Sequence, residues 1–145
     1  MDISFQWNRK IPVIADDKLK LPGSALFMAN EAKRLMDPYV PARNMILAQN
    51  VRVYTEASVL GGVKGVVHYR SPYAHYQYAG ILYVSSLTGS AWSRGEYKVP
   101  TGKKLKQDKF RHPLATSQWD KAMLKARGED LLRAVQNYVK GRAVR

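Results

Sequence analysis

Apolar and polar residues follow two regular patterns in the first part of the chain. Residues 3–7, ISFQW, alternate between apolar and polar side chains, which predicts a half-buried β-strand. From Gly23 or Ser24 to Met36, apolar residues recur with the i, i+3, i+4 spacing of an amphipathic helix. Asp37–Pro38 ends this helix, because a residue before proline is pushed out of the helical backbone region. We therefore predict a strand followed by a core-facing helix.

Two further segments have the composition of paired strands. Met45 to Thr55 places Val51 and Val53 on one side, and Val63 to Tyr69 is rich in β-branched residues. Gly61–Gly62 lies between the two segments and favours a tight reversal. We predict that the two strands pair in the antiparallel direction.

The stretch from Gly65 to Val84 holds five of the nine tyrosines in the chain. A β-type run ends near Tyr69, and Ser71–Pro72 then has the sequence of a helix start, with a hydroxyl N-cap before proline. Gly80 is placed to end about two turns of helix, after which Ile81–Val84 resumes as a strand. The stretch predicts a strand, a short tyrosine-rich helix and a second strand.

Three tyrosines of this short helix, Tyr73, Tyr76 and Tyr78, are candidate interface residues. Tyrosines between strands usually bury the ring in the core and keep the hydroxyl in water. Tyrosine is also over-represented at the centres of protein interfaces, and aromatic rings stack on bases. Core packing, a subunit interface and base stacking are therefore all open for these side chains.

No sustained periodicity is visible from about residue 87 to residue 115, a segment that we call the arm. Trp92, Tyr97 and Phe110 supply its aromatic rings. Together with Trp92, the candidate partner-binding residues of the arm are Lys98, Lys103, Lys104, Lys106, Lys109 and Arg111. Because a structureless segment of this length is unusual inside a compact domain, we predict an arm that orders on a neighbouring subunit or on nucleic acid. A merely flexible loop is the alternative.

The C-terminal segment predicts a helix with two apolar faces. Thr116 or Ser117 is placed to cap its start. One face runs from Trp119 to Ala126 and the other from Leu131 to Tyr138, rotated by more than a quarter turn. Because Gly128 lies between the two faces, we predict either a kink or two separate helices at this residue.

Together these elements predict a single domain over residues 1–145 with an α+β fold. A small, mostly antiparallel sheet packs against an N-terminal helix and a kinked C-terminal helix, and the long basic loop or arm leaves this core. The length of 145 residues is sufficient to bury a sizeable core.

The formal net charge of +13 is high and unevenly distributed. Residues 87–117 carry seven Lys/Arg against two Asp/Glu, and residues 118–145 carry seven against three, so nine of the thirteen excess charges lie beyond residue 86. The strongly basic part of the chain beyond residue 86 suits an acidic partner, either nucleic acid or an acidic protein surface. A solvated charged face is the alternative.

Motifs for catalysis or metal binding are not evident in the sequence. Cysteine is absent, which excludes disulfides and thiolate metal sites. The three histidines lack helical ligand spacing, the acidic residues are scattered, and no phosphate-binding glycine loop occurs. We expect no enzymatic activity, no cofactor, no metal and no small-molecule substrate.

The sequence also lacks the usual signals for secretion or membrane insertion. The N-terminal residues do not have the basic-then-apolar layout of a signal peptide. No apolar run approaches the roughly 20 residues needed to span a bilayer. We expect a soluble protein with no membrane partner that is not secreted by a signal-dependent route.

Four short segments carry motifs that occur together in a known family. They are Ser71–Gly80 (SPYAHYQYAG), Arg111–Met123 (RHPLATSQWDKAM), Tyr39–Pro41 and Met45–Val51. With the order and spacing that they have along the chain, these segments resemble a minor capsid protein family of tailed phages of Gram-positive hosts, whose tyrosine-rich signature is similar to SPYAHYQYAG. Arg43–Asn44 departs from the Thr-Gly turn that relatives usually carry at this place.

The resemblance covers roughly residues 23–142 and implies a structural component of the virion. The family is similar to the tail-completion or head–tail joining group, small α+β domains that assemble as a ring in the connector. It implies self-association, contacts with portal or adaptor and tail-tube proteins, and non-specific contact with DNA passing the channel. The implied location is the head–tail junction of the virion, after synthesis in the bacterial cytoplasm.

The ring also gives the arm a role. We expect residues 87–110 to supply part of the contact between neighbouring subunits, because a closed ring needs a surface that reaches the next copy. The alternatives to a joining protein are a basic nucleic-acid-binding protein and an adaptor that binds an acidic protein.

Overall fold

The computed structural model describes residues 1–5, 22–42, 45–57, 62–92 and 97–143 of the protein. Its helices and antiparallel strands confirm the predicted small α+β fold. In chain order the elements are β1 (Asp2–Phe5), α1 (Pro22–Met36), a 3-10 turn (Asp37–Tyr39), α2 (Ile46–Gln49), β2 (Val51–Ala57), β3 (Val63–Tyr69), α3 (Ala74–Ala79), β4 (Ile81–Ser85), β5 (Lys98–Lys104) and α4 (Trp119–Ala143). The predictions for Trp7, Arg43–Asn44 and Gly61 lie outside the described residues.

One sheet has three antiparallel strands in the order β1-β3-β2. The predicted pairing of β2 with β3 is confirmed, with Val53 opposite Val67 and Val51 opposite Tyr69. On β1, Ile3 is buried and lies opposite Val67, as the alternating pattern predicts. Because side chains of a strand point alternately to opposite faces, these residues form the core-facing side of the sheet.

Helix α1 packs its small residues directly against β3. Ala25, Ala29 and Ala32 are at most 1% exposed. A Cβ placed on Gly65 of β3 would lie 2.4 Å from the Ala25 carbonyl oxygen and 2.7 Å from the Ala29 Cβ. The helix backbone therefore rests on the strand at a distance that requires glycine at this position. The helix predicted in this part of the chain is confirmed.

Helix α4 is uninterrupted, so the prediction of two helices separated at Gly128 is wrong. Its buried residues follow one another at intervals of four or eight positions: Trp119, Met123, Leu131, Val135 and Val139. Four residues turn a helix by about 400°, so the buried side rotates by roughly 40° at each such step. The rotation lets Trp119 pack on β3 while the later Tyr138 stacks on Phe27 of α1, with ring centroids 4.1 Å apart. A kink at Gly128 stays a prediction.

The strand predicted from Met45 onward begins later, at Val51. The residues before it form α2, a single helical turn that buries the neighbours Leu47 and Ala48. The helical turn brings both of these consecutive side chains into the core.

The second sheet is a hairpin of β4 and β5, so the prediction that residues 98–104 lack structure is wrong. Pro100 on β5 has no N–H to donate, and the strand register shifts opposite Leu82. At this bulge the Thr101 hydroxyl donates to the Leu82 carbonyl oxygen over 2.7 Å. The proline and the bulge remove regular alternation from β5, which is why the sequence pattern does not reveal the strand.

The segment between β5 and α4 is a long basic loop that lies against the domain. The Nδ1–H of His112 donates to the Val40 carbonyl oxygen over 2.7 Å. The Thr116 N–H donates to the Tyr39 carbonyl oxygen over 3.0 Å. These bonds hold the loop against the turn after α1, so the prediction of a free arm is wrong for this segment. The predicted long basic loop is present.

Candidate functional site

The predicted order of strand, short helix and strand is confirmed as β3, α3 and β4. The Ser71 hydroxyl accepts the Tyr73 N–H over 3.3 Å, but α3 begins at Ala74, later than the predicted start at Pro72. Gly80 ends the helix with a φ of 69°, a left-handed conformation that favours glycine. The helix is therefore short and has defined ends. The three candidate tyrosines at this helix, Tyr73, Tyr76 and Tyr78, have different surroundings.

Tyr78 points inward and joins α3 to α4. Its hydroxyl donates to Asp120 Oδ1 over 2.8 Å, and its ring meets Trp119 edge-on, with centroids 5.1 Å apart. Trp119 is fully buried and also lies edge-on against Tyr69. Of the three interpretations that the sequence leaves open, core packing is the one that describes Tyr78.

Ionisation of the Tyr78 hydroxyl makes the free energy of unfolding depend on pH in the alkaline range. Burial, followed by the hydrogen bond to Asp120, raises the pKa of Tyr78 to about 12. A tyrosine in an unfolded chain ionises at about pH 10. Between these two values unfolding releases a proton that the folded state retains, so the free energy of unfolding falls as the pH rises.

We expect Tyr78→Phe to lower the free energy of unfolding by about 1 kcal/mol at neutral pH, because it removes the hydrogen bond to Asp120. Above about pH 10 the variant should lose less stability per pH unit than the wild-type protein, since it lacks the titrating hydroxyl. Urea denaturation followed by circular dichroism at several pH values measures both effects. Tyr97→Phe, at an exposed position, is the matched control and should follow the wild-type curve. Identical pH slopes for Tyr78→Phe and wild type would contradict this assignment.

Tyr76 belongs to an aromatic cluster beside the hairpin. Its ring centroid lies 5.0 Å from that of Tyr83 and 5.5 Å from that of His75. The Lys98 ammonium lies 5.5 Å from the Tyr76 centroid and donates to the Ala91 carbonyl oxygen over 2.9 Å. A cation over an aromatic face is attracted by the ring. Tyr76 and Lys98 therefore connect the hairpin to α3.

A serine holds the backbone of the turn between β4 and β5. The buried Ser85 accepts the N–H groups of Leu87 and Thr88 at its Oγ, over 3.1 and 3.2 Å. The Ser86 N–H donates to the Tyr97 carbonyl oxygen over 3.0 Å, which brings the two sides of the turn together. We call residues 86–92 together with Tyr97 the hairpin tip.

The hairpin tip carries large apolar side chains in contact with water. Leu87, Trp92 and Tyr97 are 83%, 84% and 78% exposed. Residues 86–92 and Tyr97 contain no charged side chain, and Arg94 and Glu96, which lie between them in the sequence, carry opposite charges, whereas the chain as a whole carries a net charge of +13. Single exposed apolar residues are normal on a protein surface, but a group of them at the end of one hairpin is a candidate interaction site.

Five of the predicted cations follow one another in the sequence after the hairpin turn, and we call them the basic row. Its members are Lys103, Lys104, Lys106, Lys109 and Arg111, and all of them are exposed. Within the described part of the chain, none of the five belongs to an ion pair. Lys98 is different, because its ammonium is used by the hairpin itself.

The predicted candidates thus separate into structural and exposed groups. Tyr76, Tyr78 and Lys98 make contacts within the chain, whereas Tyr73 is 53% exposed and Trp92 belongs to the hairpin tip. Leu87 and Ser85 are site residues that the sequence patterns do not reveal. The one local signal for them is the series Ser-Ser-Leu-Thr-Gly-Ser, since serine and threonine hydroxyls stabilise turns by bonding nearby backbone groups.

The chain was compared with protein families, curated proteins and solved structures. No family model, curated protein or solved structure matches the chain. Among the residues that the structure describes, no three acidic or histidine side chains are grouped so as to hold a metal ion. The same residues include no helix with the length and apolar character required to cross a membrane. The candidate site consists of the hairpin tip and the basic row.

Proposed function

We propose that the protein is a structural subunit of the head–tail connector of a tailed phage, in a ring that joins portal or adaptor to tail tube. The observation that carries the proposal is the apolar hairpin tip, in a turn without net charge, on a chain of net charge +13. Because cationic chains repel one another, an uncharged tip is the part that approaches a neighbouring copy at the lowest electrostatic cost.

The chemistry of the tip fits the contact between subunits of a ring. Leu87, Trp92 and Tyr97 offer apolar area whose burial stabilises a contact by about 25 cal/mol per Å². Aromatic side chains are enriched at the buried centres of protein interfaces, where charged side chains are depleted. In a closed ring, one surface of each subunit contacts a different surface of the next copy. We assign the hairpin tip as one of these two surfaces.

Two of the motifs behind the family resemblance contact each other through packing side chains. Tyr78, from SPYAHYQYAG, bonds to Asp120 and packs on Trp119, both from RHPLATSQWDKAM. In addition, the Gln118 N–H donates to the Tyr78 carbonyl oxygen over 3.1 Å. These contacts support an architectural role for both motifs, and we propose no catalytic role for them.

A basic nucleic-acid-binding protein is the second candidate, and the basic row favours it. This function requires the isolated chain to bind short DNA or RNA tightly, with an affinity that falls steeply as salt rises. A connector subunit requires weak, non-specific binding at most, together with incorporation into particles. The two functions are therefore distinguished by one binding curve and by the composition of purified particles.

The hairpin tip allows a sharper test than removal of the whole arm. Deletion of residues 87–110 would remove β5 and part of the loop that is tied to the domain, so it would change much more than the tip. A substitution at Trp92 changes the tip alone, because this side chain is 84% exposed.

We expect Trp92→Ser to leave the chain folded and to lower the yield of tailed particles at least tenfold. Truncating an aromatic residue at an interface centre often costs about 2 kcal/mol, and about 1.4 kcal/mol is a factor of ten in affinity. The measurement is complementation of a phage or prophage whose copy of this gene is disrupted, with tailed particles counted by electron microscopy. Leu124→Ser on α4, which changes an exposed apolar residue outside the tip, should complement normally. Normal tail joining by Trp92→Ser would contradict the assignment of the tip.

A further inference from the structure

A small groove lies where the loop after β5 meets the end of α3 and the residues that precede α4. Its volume is about 200 Å³. Its polar lining consists of Lys104, Gln107, Lys109, Thr116 and Ser117. Two members of the basic row therefore converge on one concave site, separate from the hairpin tip.

Contacts within the chain hold the lining of the groove in place. The Leu105 N–H donates to the Gly80 carbonyl oxygen, and Gln107 Nε2 donates to the Gln77 carbonyl oxygen, each over 2.9 Å. A Cβ on Gly80 would lie 2.7 Å from the Ser117 Cβ, so glycine lets the end of α3 touch the segment before α4. The backbone that carries the lining is therefore organised before a ligand arrives, which lowers the cost of binding.

The lining offers positive charge and hydroxyl donors without a carboxylate. Lys104 and Lys109 bring two ammonium groups, and Thr116 and Ser117 bring two hydroxyls. Asp108, the acidic residue between two lining positions in the chain, does not line the groove, and its Oδ1 accepts a backbone N–H over 2.8 Å. Ammonium and hydroxyl groups of this kind are the usual protein contacts of phosphate oxygens.

We propose that this groove binds a backbone phosphate of a polynucleotide. A volume of about 200 Å³ accommodates a phosphate group and is below the usual range of sites for drug-sized ligands. Lysine binds phosphate as a point charge and does not require the paired geometry of an arginine fork. The groove is thus a phosphate site that reads no base sequence.

The rest of the basic row favours a polynucleotide over an acidic protein. In the sequence, Lys103, Lys106 and Arg111 flank the lining lysines, and all three are exposed and belong to no ion pair in the described part of the chain. A polynucleotide carries one negative charge on each nucleotide, so a strand with one phosphate in the groove brings further phosphates close to neighbouring cations of the basic row. An acidic protein would have to present carboxylates at the same density. The interaction is expected to be weak, sequence-independent and dependent on salt.

The test measures binding of the purified full chain to a short fluorescent single-stranded DNA of mixed sequence, by anisotropy over a range of salt concentrations. The double variant Lys104→Gln/Lys109→Gln removes both ammonium groups of the groove. Lys125→Gln/Lys140→Gln removes the same charge from exposed positions of α4 and is the matched control. Circular dichroism verifies that both double variants are folded.

We expect the groove variant to bind DNA at least tenfold more weakly than wild type at low salt. The slope of log K against log salt should become shallower by about 1.4, since each lost contact with a single strand contributes about 0.7. The control should lose less than threefold in affinity and keep the wild-type slope. Equal losses in both double variants would overturn the proposal, because they would indicate diffuse attraction without a site.

Two further outcomes would also overturn the proposal. One is an undetectable affinity of the wild-type chain for DNA at low salt. The other is competition by polyglutamate as effective as competition by unlabelled DNA, which would identify an acidic protein as the ligand.

The phosphate site in the groove goes beyond the proposed connector function and is tested separately from it. Trp92→Ser should bind DNA like wild type, and Lys104→Gln/Lys109→Gln should still enter particles, so failure of one proposal does not imply failure of the other.

Discussion

Trp119→Ala is expected to lower the free energy of unfolding by about 4 kcal/mol. The indole is fully buried at the start of α4 and lies edge-on against two rings, with centroids 5.3 Å from Tyr69 and 5.1 Å from Tyr78. Truncation removes these contacts and leaves a cavity between β3, α3 and α4. Because small domains are stable by only about 5–15 kcal/mol, the loss is a large part of the total.

Trp92→Ala is the matched control, since it makes the same chemical change at a residue that is 84% exposed. Its free energy of unfolding should stay within about 0.5 kcal/mol of wild type. Denaturation in guanidinium chloride, followed by far-ultraviolet circular dichroism, measures both variants. A loss below about 1 kcal/mol for Trp119→Ala would contradict the packing of α4 on β3 and α3.

Gly65→Ala is expected to destabilise the protein by about 3 kcal/mol. The new Cβ would lie 2.4 Å from the Ala25 carbonyl oxygen and 2.7 Å from the Ala29 Cβ, so α1 would have to move away from β3. The nearest atom belongs to a helix backbone, which cannot relieve the clash by a change of rotamer. The variant therefore tests the close contact between the helix and the sheet.

Gly102→Ala is the control for this substitution, because a Cβ on Gly102 of β5 meets no atom within 4 Å. Its stability should equal that of wild type or exceed it slightly, since alanine restricts the unfolded chain more than glycine does. Denaturation in urea measures both variants. Equal stability of the Gly65→Ala variant and the Gly102→Ala variant would show that α1 does not rest on β3 as described.

The regular parts of the fold could be predicted from the sequence because each buries one continuous apolar face. Helix α1 and the pairing of β2 with β3 follow directly from such periodicity. The hairpin strand β5 could not be predicted, because Pro100 and the bulge opposite Leu82 interrupt its alternation. The rotated faces of α4 suggested a break at Gly128, whereas a continuous helix that crosses several elements accounts for the same rotation.

The candidate site could be predicted only in part, because exposure depends on tertiary neighbours. Tyr73, Tyr76 and Tyr78 look equivalent in the sequence, yet Tyr78 is bonded to Asp120, which is distant in the chain. Leu87 has no periodic neighbours that identify it as a site residue. The cations of the basic row were visible from composition, but the meeting of two of them in one groove depends on the contact between Gly80 and Ser117.

Trp119 and Trp92 have different roles in the protein. Trp119 is used to hold the domain together, and its loss should be seen in stability. Trp92 is presented to water on an uncharged tip, and its loss should be seen in assembly with stability unchanged. The proposed connector role requires the tip to contact a second copy of the chain in a ring at the phage neck.

Imaging the neck of purified particles by cryo-electron microscopy tests this claim most directly. We expect a ring of this chain between portal or adaptor and tail tube, in which the hairpin tip of each copy is buried in the next. Absence of the chain from the particles would contradict the proposed function. A ring in which Leu87, Trp92 and Tyr97 still face solvent would contradict the role of the hairpin tip.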